Sequence, residues 1–144
     1  MTLKVVFMGT PQFAVPALKK ICESEMDIVT VYSQPPRKSN RGMNIEKSPV
    51  HKFVDDNNLN IRTPSKLDDD WEYFKSLKFD LAIVVAYGQI ISKNFLEIPE
   101  HGFLNIHASI LPKWRGAAPI QRSIMEQDTF TGISIMQIEE QLDA

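Results

Sequence analysis

Asn105 and His107 lie two residues apart in the run FLNIHASILPKWRGAAP, residues 103–119, with apolar Leu104 and Ile106 alternating with them. On an extended strand, alternate side chains share a face, so the amide and the imidazole point the same way. A carboxamide donor beside an imidazole suits the negative charge that develops on oxygen when a nucleophile adds to a carbonyl. The imidazole also moves protons near neutral pH. The same spacing fits a core histidine hydrogen-bonded beside an asparagine that opens a turn, and spacing alone does not separate the two. Position favours chemistry if the pair lies at the carboxyl end of a strand in an open α/β sheet, because ligands bind in the crevice there.

A second concentration of chemistry is the segment QPPRKSNRGMNIEKSPVHK, residues 34–52. It holds Arg37, Lys38, Arg41, Lys47 and Lys52 against a single acid, Glu46. A basic loop beside a ligand crevice suits phosphate groups, although a solvated surface loop has the same composition. Metal ligation has no support in the spacing: His51, His101 and His107 fall in different elements, and the one cysteine, Cys22, falls on a helix. After the first strand, GTPQF offers only Gly9, whereas a dinucleotide fingerprint needs three glycines. Gly9 therefore reads as a tight turn.

These residues need a scaffold, and the rest of the chain supplies one. KVVFMG reads as a buried strand, and Pro11 and Pro16 delay the following helix to about Ala14 or Val15. DIVTVYS is a second strand. Residues 34–47 lack an apolar period and read as a long loop of the kind that is usually functional or disordered. Ser48 and Pro49 open a helix as N-cap and first residue. LNIRTP is a short strand. SKLDDDWEYFKSLK reads as a helix with Ser65 and Asp68 at capping-box spacing and acids in its first turn. DLAIVVAYG, the most apolar strand, is expected to be central. QIISKNFLEIPEHG is a short helix or turn, FLNIH a strand, PIQRSIMEQ a helix and TGISIMQI a strand. Strands alternating with helices predict an open, mostly parallel, twisted sheet with helices on both faces.

Composition sets the outer bounds. The chain has 144 residues, enough for a domain with a core; apolar residues are 43% and charged residues 24%, the balance of an ordinary globular protein. A net charge of −2 argues against indiscriminate nucleic-acid binding and leaves only a local basic patch for that purpose. No apolar run reaches the roughly 18 residues of a membrane span. The N-terminus runs directly into a strand pattern without a signal peptide. Cys22, set among apolar helix residues, reads as a buried and inert thiol. Together these features point to the cytoplasm.

Four segments, FMGTPQFAVPAL, VVAYGQII, NIHASILPKWRGAAPIQRSI and TGISIMQIEEQLDA, closely resemble the methionyl-tRNA formyltransferase family in order and spacing across essentially the whole chain. The resemblance implies a Rossmann-like formyltransferase fold. It also implies transfer of a formyl group from 10-formyltetrahydrofolate to the α-amino group of methionyl initiator tRNA, a step of translation initiation. It assigns catalysis to Asn105, His107 and Asp143, and folate binding to Ser109, Ile110, Leu111 and Pro112. It assigns contact with the tRNA acceptor stem to the loop at residues 34–48 through Arg41, and a place near the methionyl side chain to Phe13. No metal, covalent intermediate or membrane is implied, and a monomer is expected at full length.

Members of this family are about twice as long, with a β-barrel domain after the catalytic one. The chain ends one residue after Asp143. The expectation is therefore that residues 1–144 form the N-terminal part of the catalytic domain, truncated at its C-terminus, without the barrel and with little or no transferase activity alone. Two alternatives remain: another folate-dependent formyltransferase, acting on a sugar nucleotide or glycinamide ribonucleotide, and a non-catalytic folate- or tRNA-binding remnant.

Overall fold

A computed structural model describes residues 2–38 and 44–106. Among these residues, seven strands and four α-helices run in the order β1 (Lys4–Gly9), α1 (Val15–Glu23), β2 (Asp27–Tyr32), β3 (Arg37–Lys38), β4 (Ile45–Glu46), α2 (Pro49–Asn57), β5 (Ile61–Arg62), α3 (Trp71–Ser76), β6 (Leu81–Val85), α4 (Lys93–Leu96) and β7 (Phe103–Ile106). Five strands form one sheet in the order β5-β2-β1-β6-β7, and every pairing in it is parallel. This is the open parallel α/β architecture of a Rossmann-like fold. Among the described strands β1, rather than the most apolar strand β6, holds the centre. Both are flanked on each side, which is why both read as continuous apolar runs.

Side chains alternate across the sheet and build a core on each face. Val5 and Phe7 of β1 and Ile83 and Val85 of β6 pack with Ala17, Leu18 and Ile21 of α1 and Val50 and Val54 of α2. Val6, Met8 and Val84 face the other way, toward Phe74, Phe79, Phe95 and Phe103. Phe74 centres that second core, with its ring 4.9 Å from Phe95 and 5.4 Å from Phe79, both edge-on. Helices thus cover both faces.

Local starts and stops follow the sequence at some points and depart from it at others. Pro11 precedes a single 3-10 turn, Gln12–Ala14, and α1 begins at Val15 with Pro16 in its first turn. Ser48 caps α2: its Oγ accepts the His51 backbone N–H at 3.1 Å, with Pro49 next in line. The capping box expected at Ser65 and Asp68 does not form. Leu67–Asp70 is instead a 3-10 turn without a side-chain cap, and α3 starts only at Trp71. The competing interaction is visible. Asp70 accepts from Tyr32 Oη at 2.6 Å and from Arg62 Nε at 3.0 Å, which draws the acidic turn inward. The long loop expected over residues 34–47 contains a short antiparallel pair, Arg37–Lys38 with Ile45–Glu46; two-residue strands without an apolar period leave no trace in the sequence. Cys22 is exposed. The buried stripe of α1 is carried by Ala17, Leu18 and Ile21, and Cys22 falls beside that stripe near the helix end.

Gly9 is needed for close packing at the end of β1. A Cβ there would stand 2.8 Å from the Val85 carbonyl oxygen and 2.9 Å from the Ala14 side chain. The expected helix PIQRSIMEQ and strand TGISIMQI lie outside the described residues.

Candidate functional site

In β7 the side chains of Leu104 and Ile106 enter the core shared with α1 and α2, while Phe103 enters the aromatic core. Alternation therefore turns Asn105 toward the aromatic side, and only 3% of its surface is exposed. It stands opposite Val84 of β6, and Ile106 opposite Val85, so Asn105 lies near the carboxyl end of both strands.

Immediately after β6 the backbone makes an unusual turn. Ala86 has φ of 54° and Gly88 φ of 95°, both in the left-handed region that non-glycine residues avoid. Side chains from neighbouring strand ends hold this turn. Thr10, after β1, donates its hydroxyl to the Tyr87 carbonyl at 2.7 Å. Gln34, after β2, donates from Nε2 to the Gly88 carbonyl at 2.9 Å, and its own backbone N–H reaches Thr10 Oγ1 at 3.3 Å. Gln89 donates from Nε2 to Gln34 Oε1 at 2.9 Å and to the Pro64 carbonyl at 3.0 Å, while its Oε1 accepts the Leu67 backbone N–H at 2.6 Å. The Tyr87 ring is fully buried, and burial raises its hydroxyl pKa well above the usual tyrosine range. That hydroxyl has no partner among the described residues.

On the other side of Gln34 opens a cavity of about 480 Å³, bounded by the loop after β1, the β3–β4 pair and the start of α2. Arg37, Lys38, Lys47 and Lys52 line it, with Thr10, Gln12 and Ser48 as uncharged polar groups. The cations are not equivalent. Lys47 pairs with Asp55 at 2.6 Å and Lys52 with Glu46 at 2.8 Å. The hydrogen bond from Lys52 lowers the Glu46 pKa, and the one from Lys47 lowers that of Asp55. Arg37 and Lys38 make no ion pair among the described residues, so of the four lining cations they are the two without a described acidic partner.

The structure thus places Asn105 and the basic residues 37, 38, 47 and 52 at the ligand end of the sheet. Phe13 is half-buried against the core on the α1–α2 side and does not line the cavity. His107, Asp143, Ser109, Ile110, Leu111, Pro112 and Arg41 lie outside the described residues. Sequence reasoning placed Thr10 and Gln34 within candidate loops without giving either, or Gln89, a role of its own. The available signal was position: each is a polar side chain just past the end of an apolar strand, where ligand-end loops begin. Among the described residues, no group of His, Cys, Asp and Glu is arranged to hold a metal ion, and no helix is long and apolar enough to cross a membrane.

An open parallel sheet with a buried carboxamide, a strained turn and a basic cavity at its carboxyl edge defines an α/β protein of the class whose ligand crevices lie outside the carboxyl ends of the strands. Comparison with known proteins gives the family. The formyl transferase family model matches residues 3–144. Similar proteins include methionyl-tRNA formyltransferases from Pelagibacter ubique (58% identical over 99% of this chain and 47% of the relative) and Parvibaculum lavamentivorans (52% over 98% and 46%). A third, from Caulobacter vibrioides, is 48% identical over 98% of this chain and 46% of the relative. The chain belongs to the formyl transferase family. It spans about half the length of these relatives.

Proposed function

We propose that this chain carries the catalytic asparagine and much of the substrate cradle for formyl transfer from 10-formyltetrahydrofolate to the α-amino group of methionyl initiator tRNA. The observation that supports this most is Asn105, buried near the carboxyl end of β7 in a chain 58% identical to a protein named methionyl-tRNA formyltransferase. In this reading the methionyl amine adds to the formyl carbon and forms a tetrahedral intermediate with negative charge on oxygen. Asn105 and protonated His107 hold that charge. Asp143 fixes the charge state of His107 and, through water, helps take the proton from the amine. The C–N bond to the folate then breaks, its nitrogen leaves protonated, and the products are formylmethionyl-tRNA and tetrahydrofolate.

Ser109, Ile110, Leu111 and Pro112 form the folate edge, Phe13 lies near the methionyl side chain, and Arg41 with the cavity cations meets the acceptor stem. The reading needs no metal and places the protein in the cytoplasm, as a monomer at full length. Because the chain covers 47% of its Pelagibacter relative, residues 1–144 alone are expected to show little or no transferase activity.

The test is a formylation assay with 10-formyltetrahydrofolate and methionyl initiator tRNA, run on residues 1–144 and on a version extended to the relatives' length. In the extended version Asn105→Ala should lower kcat by about 10²–10³-fold while the protein still folds. An unchanged rate in that variant would remove Asn105 from the chemistry.

A further inference from the structure

The hydrogen bonds around Gln34 form one continuous relay across four strand ends. It runs from the Leu67 amide to Gln89 Oε1, from Gln89 Nε2 to Gln34 Oε1, and from Gln34 Nε2 to the Gly88 carbonyl. It closes through the Gln34 backbone N–H on Thr10 Oγ1 and the Thr10 hydroxyl on the Tyr87 carbonyl. The residues at its nodes follow β1, β2, β5 and β6, which are neighbours in the order β5-β2-β1-β6. Gln34 is the node with two faces. Its side chain holds the left-handed turn that leads away from β6 beside Asn105, and it also forms part of the wall of the basic cavity.

A left-handed alanine persists only where the surroundings over-determine it, and the left-handed Gly88 two residues on is a conformation that glycine adopts freely. Here the surroundings are two carbonyl contacts, one from Thr10 and one from Gln34. The Gly88 contact leaves no slack: a Cβ built on Gly88 would stand 2.7 Å from Gln34 Nε2. A shift in the root of the basic loop therefore moves the donor that fixes the turn.

We infer that Gln34 is a positioning residue for the Ala86–Gln89 turn, and that through it a phosphate-bearing ligand in the basic cavity is coupled to the turn beside Asn105. The coupling rests on the proposed function of the cavity; the positioning role does not. The neutral amide is required in both its roles, as donor to Gly88 and as acceptor from Gln89, so the two can be separated. Gln34→Ala removes both, whereas Gln34→Glu keeps the acceptor and loses the donor.

Residue-resolved amide hydrogen exchange on the unliganded chain tests the positioning role. In Gln34→Ala the Leu67 amide and the amides of residues 86–90 should exchange about tenfold faster, with those of α1 unchanged. In Gln34→Glu, residues 86–90 should loosen while Leu67 stays protected, which a general loss of packing would not produce. If residues 86–90 keep their original rates in either folded variant, the positioning role is overturned. A short RNA duplex with a single-stranded 3′ end, its binding followed separately by fluorescence anisotropy, tests the coupling. Bound RNA should slow exchange at residues 86–90 in the unmodified chain and not in Gln34→Ala. RNA that binds without changing exchange there overturns the coupling. RNA that fails to bind overturns both the functional reading of the cavity and the coupling, while the unliganded comparison still decides the role of Gln34.

Discussion

The Gln34 side-chain nitrogen lies 2.9 Å from the Gly88 carbonyl oxygen, and a methyl group added to Gly88 would stand 2.7 Å from that same nitrogen. The hydrogen bond and the absence of a side chain at Gly88 are therefore one requirement. Gly88→Ala, at φ of 95°, should lower stability by about 1–3 kcal/mol and displace Gln34. Ala86→Gly, at φ of 54°, should be neutral or stabilising by up to about 1 kcal/mol, because strain relief offsets the added unfolded-state entropy. Urea titrations of the two variants check the loss in the first and its absence in the second.

The Arg62–Asp70 pair ties β5 to the turn before α3, with Tyr32 as a third partner. Burial alone would raise the Asp70 pKa, but the hydrogen bonds from Arg62 and Tyr32 outweigh it and leave the pKa below the usual carboxylate value. A group whose folded pKa is lowered stabilises the fold above its unfolded pKa and loses that contribution as pH falls through the folded value. Stability should therefore drop below about pH 4, and Asp70→Asn should cost about 2 kcal/mol at pH 7 and flatten that acid limb. Burial lowers the His51 pKa, with Lys47 adding to the effect and Asp55 opposing it. The unfolded state takes up that proton more readily, so a milder decline should begin below about pH 6.5 and vanish in His51→Gln. Melting temperatures across a pH series distinguish the two windows.

Ser48 serves two partners: its Oγ accepts the His51 N–H and lies 2.6 Å from Ser33 Oγ. Ser48→Ala should cost about 1 kcal/mol, and Ser48→Asp should retain the cap. Thermal melts of the two variants measure the difference.

Of the cavity's cations, Arg37 and Lys38 have no acidic partner among the described residues, whereas Lys47 and Lys52 are paired. If RNA phosphates bind there, replacing both Arg37 and Lys38 with Gln should weaken binding and reduce the slope of log affinity against log salt by about 1.5. Replacing Lys47 and Lys52 should have a smaller effect. An unchanged slope in the first variant would place the RNA elsewhere.

What the sequence revealed depended on the range of the interaction involved. β1 and β6 were legible because strands flanked on both sides and covered by helices must be apolar throughout. The start of α2 was legible because a serine followed by proline acts locally. Asn105 was legible as a candidate through its two-residue spacing with His107, and its burial bears on the strand half of that reading. The start of α3 was not legible: Asp70 is drawn away from a helical first turn by Arg62 and by Tyr32, which is remote in sequence. The Gln34–Gln89 contact joins residues 55 positions apart, and two glutamines carry no pattern that would pair them. The β3–β4 pair is too short to show a period. Cys22 was misjudged because apolar sequence neighbours do not fix which side of a helix faces the sheet.

The position of β1 has a consequence for synthesis. It is the first of the described strands in chain order and the central one among them, and all of its residues except Lys4 are buried. One flank is closed by β2, which is complete at Tyr32, but the other waits for β6 at Leu81–Val85. A nascent chain that has emerged only as far as Asp80 presents an apolar strand with one open edge, the condition that favours pairing with the wrong chain. Pairing with β6 closes that edge of β1 and passes the open edge on to β6, which β7 then covers.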